Sequence, residues 1–184
     1  MYSFGLADDW SFEEAMAKMG CKVLAFDPTE RVNPSIVQNP SKNIIFHKIG
    51  VVAKEVKGKE SYWTLDRIIK DNGHLHTKIS FLKMDVEGAE LAGLPVWISS
   101  GILRNVVQFA LEIHLDLGYG HIIQNTREFL KNFKELQIHE NFRIISWDPN
   151  LCWKNKGMKN KNYDHHHLFE IVLKKINPLN SCCH

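Results

Sequence analysis

The chain has 184 residues, 44% of them hydrophobic and 24% charged, a composition that indicates a folded globular protein rather than a disordered one. Lys and Arg number 23 against 21 Asp and Glu, so the net charge of +2 argues neither for nor against a nucleic-acid partner. The four cysteines lack the CxxC spacing of a structural zinc site. No run of about 18 apolar residues occurs, so no membrane span is predicted.

Short apolar runs alternate with helical patterns along the chain. Strands are predicted at 1–5, 21–27, 43–53, 78–85, 105–115, 141–148 and 167–175. Helices are predicted at 11–20, 64–72 and 122–137, with one or two short helices at 89–101. In the first helix, Ser11 and Glu14 have the spacing of a capping box. The apolar face of this helix is predicted to comprise Phe12, Ala15, Met16 and Met19.

This alternation predicts an α/β fold with a mostly parallel sheet, because parallel strands need crossover connections. The strands are apolar along most of their length, as expected when helices cover both faces of the sheet. No clear helical pattern separates the last two strands, so these are predicted to be antiparallel. In such sheets ligands bind at the carboxyl ends of the strands, and the residues there are the candidates for function.

The first candidate site joins Gly5, which follows the first strand, to Asp27, which ends the second strand 22 residues later. A glycine turn and an acid at this spacing are typical of nucleotide-type sites, although an Asp before Pro is also a common start of a turn. NAD needs a helix N-terminus for its pyrophosphate. The window "GLADDW" has Ala7 for the second glycine, and it adds two acids. Those charges favour the cationic S-adenosylmethionine over NAD.

A second group of polar residues follows the fourth and fifth strands. Asp85, Glu87 and Glu90 follow the fourth strand, and Glu112 and His114 lie at the end of the fifth. One interpretation is structural: Asp85 caps a helix and the two glutamates lie near its dipole. The other is functional, because several carboxylates and an imidazole at one sheet edge would suit a cationic ligand, a metal or a general base. Glu90 is assigned to the helix.

The stretches "FLKMDVEGAE" and "FALEIH" resemble the FkbM-type family of S-adenosylmethionine-dependent methyltransferases. Within that family, the opening "YSFGLADDWSFEEAMAKMGCKVLAFDPT" and the ending "HHHLFEIVLKK" are similar to the methyltransferase-like 24 subgroup of animals. The resemblance extends from residue 2 to about residue 175. It implies a Rossmann-like sheet of seven strands in the order 3-2-1-4-5-7-6, with strand seven antiparallel and helices on both faces.

The resemblance also implies that S-adenosylmethionine is the cofactor and that its methyl group passes to an acceptor, expected to be an oxygen. Gly5 and its neighbours would line the methionine moiety, and Asp27 would bind the ribose. The predicted cofactor-binding residues are Phe4, Gly5, Leu6, Ala7, Asp27, Pro28 and Asp85. The candidate catalytic residues are Asp85, Glu87, Glu112 and His114. No metal ligand is predicted, and the acceptor, the compartment and the oligomeric state stay open.

Two features depart from the family pattern. Ala7 occupies a position of the cofactor turn that often holds glycine, and the chain begins inside its first strand. We therefore expect one methyltransferase domain over residues 1–184 that lacks the usual segment before that strand. These departures motivate an alternative hypothesis, a non-catalytic binding domain that keeps the fold. A third hypothesis, an NAD-type oxidoreductase, is disfavoured by the "GLADDW" window.

The connection at 149–166 carries four lysines together with Trp153 and Tyr163. It is interpreted as a solvated loop, with a lid or an acceptor-binding loop as the alternative. No recognised motif indicates nucleic-acid binding. Structural roles are assigned to the three histidines at 165–167, because neighbouring strand residues point to opposite faces and cannot easily share one metal ion.

Overall fold

A computed structural model describes residues 1–29, 42–55, 57–59, 61–115, 122–149 and 168–176. The predictions for the connection beyond Pro149 and for the three histidines at 165–167 lie outside these residues. No helix among the described residues is long and apolar enough to cross a membrane.

The described residues form nine strands and four α-helices. The strands are β1 (Tyr2–Phe4), β2 (Val23–Phe26), β3 (Ile44–His47), β4 (Gly50–Val52), β5 (Tyr62–Thr64), β6 (Ile79–Met84), β7 (Val106–His114), β8 (Phe142–Pro149) and β9 (Leu168–Lys175). The helices are α1 (Ser11–Lys18), α2 (Leu65–Asp71), α3 (Ala89–Ser100) and α4 (Ile122–His139), and a 3-10 turn at Ile102–Asn105 follows α3. All four predicted helical regions and the last two strands are therefore confirmed.

The main sheet has seven strands in the order β3-β2-β1-β6-β7-β9-β8. The pairs from β3 to β7 are parallel, whereas β9 runs antiparallel to both β7 and β8. This is the predicted seven-strand order with strand seven antiparallel, so the fold class is confirmed. The central strands β1, β6 and β7 bring their carboxyl ends to one edge of the sheet.

Helices cover both faces of the strands, which explains their continuous apolar sequence. On one face, the rings of Tyr2, Phe4 and Phe26 stack, with centroids of Phe4 and Phe26 4.8 Å apart. They belong to the larger core, which continues under α2, α3 and α4. On the opposite face, Val23 and Ala25 pack with residues of α1 in a smaller core. The alternation of β2 side chains between the two cores places α1 on the opposite face from the other helices.

The predicted strand at 43–53 is two strands. The amide of Ile49 donates to His47 O at 2.8 Å, a tight turn that ends β3. After this turn, β4 pairs with β5 in a separate two-stranded sheet. Gly50 begins β4 because a Cβ there would lie 2.7 Å from the Tyr62 ring. The apolar run thus continues through a change of sheet, which its composition does not reveal.

The predicted apolar face of α1 is wrong at Ala15 and Met19, which are exposed, and the predicted capping box is wrong as well. Met16 does pack against the smaller core, and the Phe12 ring contacts Phe81. The N-cap residue is Trp10, without a side-chain cap bond, and Asp9 accepts from the amide of Ser11 at 2.9 Å instead. Met19 is 71% exposed, whereas Glu13 is fully buried. Glu13 faces inward because its carboxylate accepts from the Ser3 hydroxyl at 2.5 Å. A polar pair thereby outweighs the apolar periodicity of the helix.

Candidate functional site

The turn after β1 is fixed against the turn after β6. Gly5 has a φ of +76°, and a Cβ built on it would lie 1.6 Å from Asp85 O. Its amide donates to Phe26 O at 3.0 Å, and the amide of Asp85 donates to Phe4 O at 3.1 Å. Only glycine allows this approach. The geometry therefore places the start of the candidate cofactor turn directly beside the candidate catalytic Asp85.

Asp27 holds the remainder of this turn. Its Oδ2 accepts from the amides of Leu6 and Ala7 at 2.8 and 2.9 Å. Its Oδ1 accepts from the amide and the hydroxyl of Thr29 at 2.7 and 2.6 Å. Burial alone would raise the pKa of Asp27, but these hydrogen bonds outweigh it and hold the pKa below its usual value. Ala7 has a φ of +47°, so it takes the left-handed conformation that glycine would favour.

The other predicted cofactor-binding residues lie around this turn without all facing it. The Phe4 ring is 1% exposed, and Leu6 is 4% exposed, so both side chains belong to the core. Pro28 contacts the start of β4, where a Cβ on Gly50 would lie 2.9 Å from Pro28 Cγ. A bound cofactor would therefore meet the backbone of Phe4 and Leu6 rather than their side chains. Their role in binding stays a prediction.

The parallel register of β6 and β7 brings the candidate catalytic residues together. Met84 pairs with Leu111, so the next residues, Asp85 and Glu112, lie side by side and their carboxyl groups are hydrogen-bonded. His114, at the end of β7, has its Nε2 3.6 Å from Glu87 Oε2 and 4.0 Å from Asp85 Oδ1. The structure thus gathers all four predicted catalytic residues at one sheet edge.

Glu90 contacts this group from its buried side, through His114. It is fully buried, and its Oε1 accepts from both the amide and Nδ1 of His114 at 2.8 Å. Its Oε2 accepts from the amide of Gly88 at 3.0 Å. Burial would lower the pKa of His114, but the Glu90 hydrogen bond and the charges of Glu90, Glu112 and Glu87 raise it to about 9. His114 is therefore a cation at neutral pH when no other cation is bound.

The interpretation of Asp85 as a helix cap is wrong. Helix α3 begins at Ala89, and its N-cap is Gly88 in a left-handed conformation, without a side-chain cap bond. Glu87 has a φ of +52°, so two successive left-handed residues separate Asp85 from the helix. The chain accepts this unfavourable backbone in a segment that presents Glu87, whose side chain is 82% exposed, toward His114.

The carboxyl group of Asp85 has a strongly raised pKa. Burial is the largest cause, followed by the negative charge of Glu112 and the hydrogen bond between the two groups. Lys83 and His114 oppose the shift, and the pKa reaches about 7. Asp85 is thus partly protonated near neutral pH beside Glu112, and this pair can accept a proton from a bound hydroxyl.

Comparison with known proteins identifies the family. The sequence profile of the methyltransferase domain family matches residues 1–162. The chain belongs to this family. "Probable methyltransferase-like protein 24" of Rattus norvegicus is 34% identical over 123 residues, which are 62% of this chain and 32% of that protein. The match therefore covers about a third of the length of this curated relative.

Solved structures agree with the fold of the methyltransferase domain. The structure of WbdD with the kinase inhibitor LY294002 matches 95% of this chain and 35% of that one, with a TM-score of 0.56 and 11% identity. The structure of Streptococcus pneumoniae Sp1610 in complex with S-adenosyl-L-methionine matches 96% of this chain and 67% of that one, with a TM-score of 0.50 and 11% identity. At this identity both likenesses bear on the fold alone.

Sequence reasoning missed several residues of the methyltransferase domain that adjoin the site. The sequence assigns Glu90 to the helix, and Glu90 does bind the amide of the α3 N-cap residue Gly88, but it also holds His114. Lys83 Nζ donates to Gly5 O at 3.2 Å and lies 3.5 Å from Glu13 Oε1. Glu170 pairs with Glu112 across β7 and β9, and burial together with nearby acids raises its pKa. A signal was available for Lys83, which shares a strand face with Asp85.

Proposed function

We propose that the chain transfers a methyl group from S-adenosylmethionine to an oxygen of an acceptor. The observation that carries this proposal is the fixed contact between the glycine turn after β1 and the acid cluster after β6 and β7. A cofactor lying on the turn would present its reactive end to these acids. Membership of the methyltransferase domain family supports the proposal. The finer assignment to the FkbM-type group, based on "DVEGAE" and "EIH", belongs to it as well.

The charges around the turn suit a cationic cofactor. Asp8 is exposed beside the turn, and Asp9 is hydrogen-bonded to the N-terminus of α1. These acids would repel the pyrophosphate of a dinucleotide at that helix end. Asp85 and Glu87 lie on the other side of the turn, at the edge of the sheet. S-adenosylmethionine, when bound, supplies a methyl group on a positively charged sulfur and carries no phosphate, so these charges favour it.

We assign Asp27 to the ribose, whose hydroxyl must displace hydrogen bonds that Asp27 already accepts. Each of its oxygens already accepts two hydrogen bonds, which fills the acceptor capacity of a carboxylate. A ribose hydroxyl would have to replace the Thr29 contacts on Oδ1, whereas the Oδ2 contacts keep the turn in shape. Asp27 would thus contribute both by binding ribose and by ordering Leu6 and Ala7.

The chemical step needs a proton acceptor. As the acceptor oxygen forms its bond to the methyl carbon, the carbon–sulfur bond breaks, its electron pair stays on sulfur, and the hydroxyl proton must leave. The hydrogen-bonded pair of Asp85 and Glu112 is the proton acceptor that we assign. His114 and Glu87 lie next to this pair and orient the acceptor. The chain otherwise contributes by positioning both reactants, which is a large part of catalysis in transfers between two bound molecules.

Calorimetric titration with S-adenosylmethionine, S-adenosylhomocysteine and NAD tests the proposal. We expect the first two to bind and NAD to give no heat above dilution. Binding of NAD alone would overturn the proposal in favour of an oxidoreductase. If none binds, the non-catalytic binding domain is the correct interpretation. The lack of cofactor binding would then be explained by the Asp27 oxygens, which already accept two hydrogen bonds each.

The acceptor atom is tested separately. The protein is incubated with S-adenosylmethionine carrying a ¹³C-labelled methyl group and with fractionated cell extracts, and the product methyl is observed by NMR. The carbon shift distinguishes methyl groups on oxygen, nitrogen and sulfur. Label on oxygen that requires both the protein and the intact Asp85–Glu112 pair supports the proposal. Label on nitrogen alone contradicts the oxygen assignment while leaving methyl transfer in place.

A further inference from the structure

His114 presents its ring nitrogen Nε2 toward two carboxylates. Its side chain is 5% exposed, and Nδ1 is tied to Glu90 at 2.8 Å. Its Nε2 faces Glu87 Oε2 at 3.6 Å and Asp85 Oδ1 at 4.0 Å, and both distances exceed a hydrogen bond. A buried imidazole nitrogen therefore lies within ion-pair distance of two carboxylates without a hydrogen bond to either of them.

The three side chains have the composition and spacing of a metal site. One ligand atom from each of Asp85, Glu87 and His114 lies within 4.8 Å of the other two. Ligands of a bound Zn²⁺ lie about 2.0–2.2 Å from the ion and hence about 3–3.5 Å from one another. To reach that spacing, the exposed Glu87 side chain must move inward, and the Asp85 carboxyl group, whose Oδ1 lies 4.0 Å from Nε2, must also move closer to His114. Three protein ligands with an open side are also the pattern of catalytic rather than structural metal sites.

Glu90 supplies the support that such a site requires. Metal-binding histidines almost always donate their second ring N–H to a carboxylate or a carbonyl, which fixes the tautomer and the ring orientation. Glu90 Oε1 does this at Nδ1, and it also accepts from the backbone amide of His114. Because Glu90 is fully buried, its carboxylate cannot turn away to solvent. The ring is therefore held in the orientation that a metal ion needs at Nε2.

From this geometry we propose that Asp85, Glu87 and His114 bind one divalent cation at the carboxyl ends of β6 and β7. An ion with one imidazole and two carboxylate ligands is of the Mn²⁺ or Zn²⁺ class. This departs from the sequence-based prediction, which assigned no metal ligands. If the proposed methyl transfer is correct, an acceptor oxygen could occupy an open position on the ion, and Glu112 would then take the proton. Ion binding itself does not depend on that function.

Titration with Mn²⁺, followed by the EPR signal of the free ion, tests this site without cofactor present. Mn²⁺ is the probe because it prefers oxygen ligands and imidazole over the thiolates of the four cysteines. A parallel variant carries His165→Gln, His166→Gln and His167→Gln, so that the histidine run cannot account for binding. We expect one ion per chain in both proteins. His114→Gln should weaken binding at least tenfold, and Glu90→Gln about 10- to 100-fold.

His139→Gln is the matched control. His139 also pairs with a glutamate, Glu135, at 2.8 Å, but its side chain is 61% exposed on α4 and lies outside the cluster. Its replacement should leave Mn²⁺ affinity unchanged. Absence of stoichiometric binding, or equal affinity in folded His114→Gln, overturns the proposal and leaves a protonated His114 as the cation of this cluster.

A second measurement covers the case in which the His114 variant fails to fold. In the unmodified protein, substoichiometric Mn²⁺ should broaden the imidazole NMR signals of His114 and leave those of His139 sharp. Equal broadening of both rings, or of neither, contradicts the site. Because S-adenosylmethionine is absent from these experiments, a failure here is distinguishable from a failure of cofactor binding, which the calorimetric titration tests when it is run with EDTA to remove metal ions.

Discussion

Glu90 holds His114 through one oxygen, which accepts from both the backbone amide and the ring nitrogen Nδ1 at 2.8 Å. The two residues are 24 positions apart in sequence, on α3 and β7. Both are buried, so the pair fixes the start of the helix, the end of the strand and the direction of the ring together. The other ring nitrogen of His114 faces Asp85 and Glu87.

Glu90→Gln should lower the pKa of His114. A glutamine keeps an oxygen acceptor near the ring but removes the negative charge that helps raise this pKa to about 9. In metal-free protein we expect the pKa of His114 to fall below about 9, measured from the imidazole NMR signals. The exposed His139, which lies on α4 outside the cluster, provides the internal control for the NMR signals. An unchanged His114 pKa would show that Glu90 does not stabilise the imidazolium.

The same variant should change how stability depends on pH. The folded pKa of His114 lies above the ordinary value of 6.5, so its ionisation stabilises the fold fully below about pH 6.5, and this contribution disappears as the pH rises through about 9. Glu90→Gln should therefore be more destabilising at pH 6 than at pH 10. Urea unfolding at the two pH values measures the difference. An equal loss at both would contradict the ion pair.

Glu112→Gln should lower the pKa of Asp85 from about 7, because the charge of Glu112 is one of its causes after burial. Burial remains, so the pKa should stay above the ordinary value of 3.8. In the unmodified protein, ionisation of Asp85 should reduce stability as the pH rises from about 4 to 7, and the variant should lose less. Carboxyl ¹³C signals report the pKa. Asp148→Asn, an exposed acid of β8, serves as the control, and a pKa unchanged by Glu112→Gln would refute the coupling.

Gly5→Ala should destabilise the protein far more than Gly73→Ala. The two glycines have φ values of +76° and +74°, so both variants have the left-handed cost of about 1–2 kcal/mol. Only at Gly5 would the new Cβ also meet Asp85 O, at 1.6 Å, whereas nothing lies within 4 Å of a Cβ on Gly73. We expect a loss above about 4 kcal/mol at Gly5, measured by urea unfolding. Similar losses in the two variants would show that the Gly5 turn can move away from Asp85 without cost.

Asp27→Ala should weaken S-adenosylmethionine binding by about 1–3 kcal/mol, roughly 5- to 150-fold, which is the cost of leaving hydrogen-bonding groups unsatisfied. Thr29→Val removes only the hydroxyl that competes for Oδ1, and it should preserve or strengthen binding if ribose uses that oxygen. Asp71→Ala, an exposed acid on α2, is the control. Calorimetry measures all three, and wild-type affinity in folded Asp27→Ala would show that Asp27 is only a turn residue.

The fold was predictable because apolar periodicity and strand length depend on neighbouring residues. Errors arose where a long-range partner decides the structure. Glu13 is buried because Ser3 on β1 and Lys83 on β6 donate hydrogen bonds to its carboxylate. These partners leave no local signal in the sequence of α1. The strand predicted at 43–53 changes sheets at Ile49, where only the partner strand β5 reveals the break.

The sequence was sufficient to predict which strand ends supply the site. Strand ends identified Asp85, Glu112 and His114, since parallel strands bring their carboxyl ends to one edge. The role of Glu90 was missed because its side chain reaches another element, and helix-start chemistry explained it adequately by itself. The hydrogen bonds that the Asp27 carboxylate accepts from Leu6 and Ala7 could likewise not be predicted from the sequence, because they depend on the conformation of the Gly5 turn.

The central claim is that S-adenosylmethionine lies on the turn after β1, next to the acids after β6 and β7. Titration of ¹⁵N-labelled protein with S-adenosylhomocysteine, observed through assigned amide signals, tests it most directly. The account predicts the largest shifts at Gly5, Leu6 and Ala7, with further shifts at Asp85, and none at the distant Gly73. Saturable binding that shifts other amides and leaves this turn unchanged would contradict it.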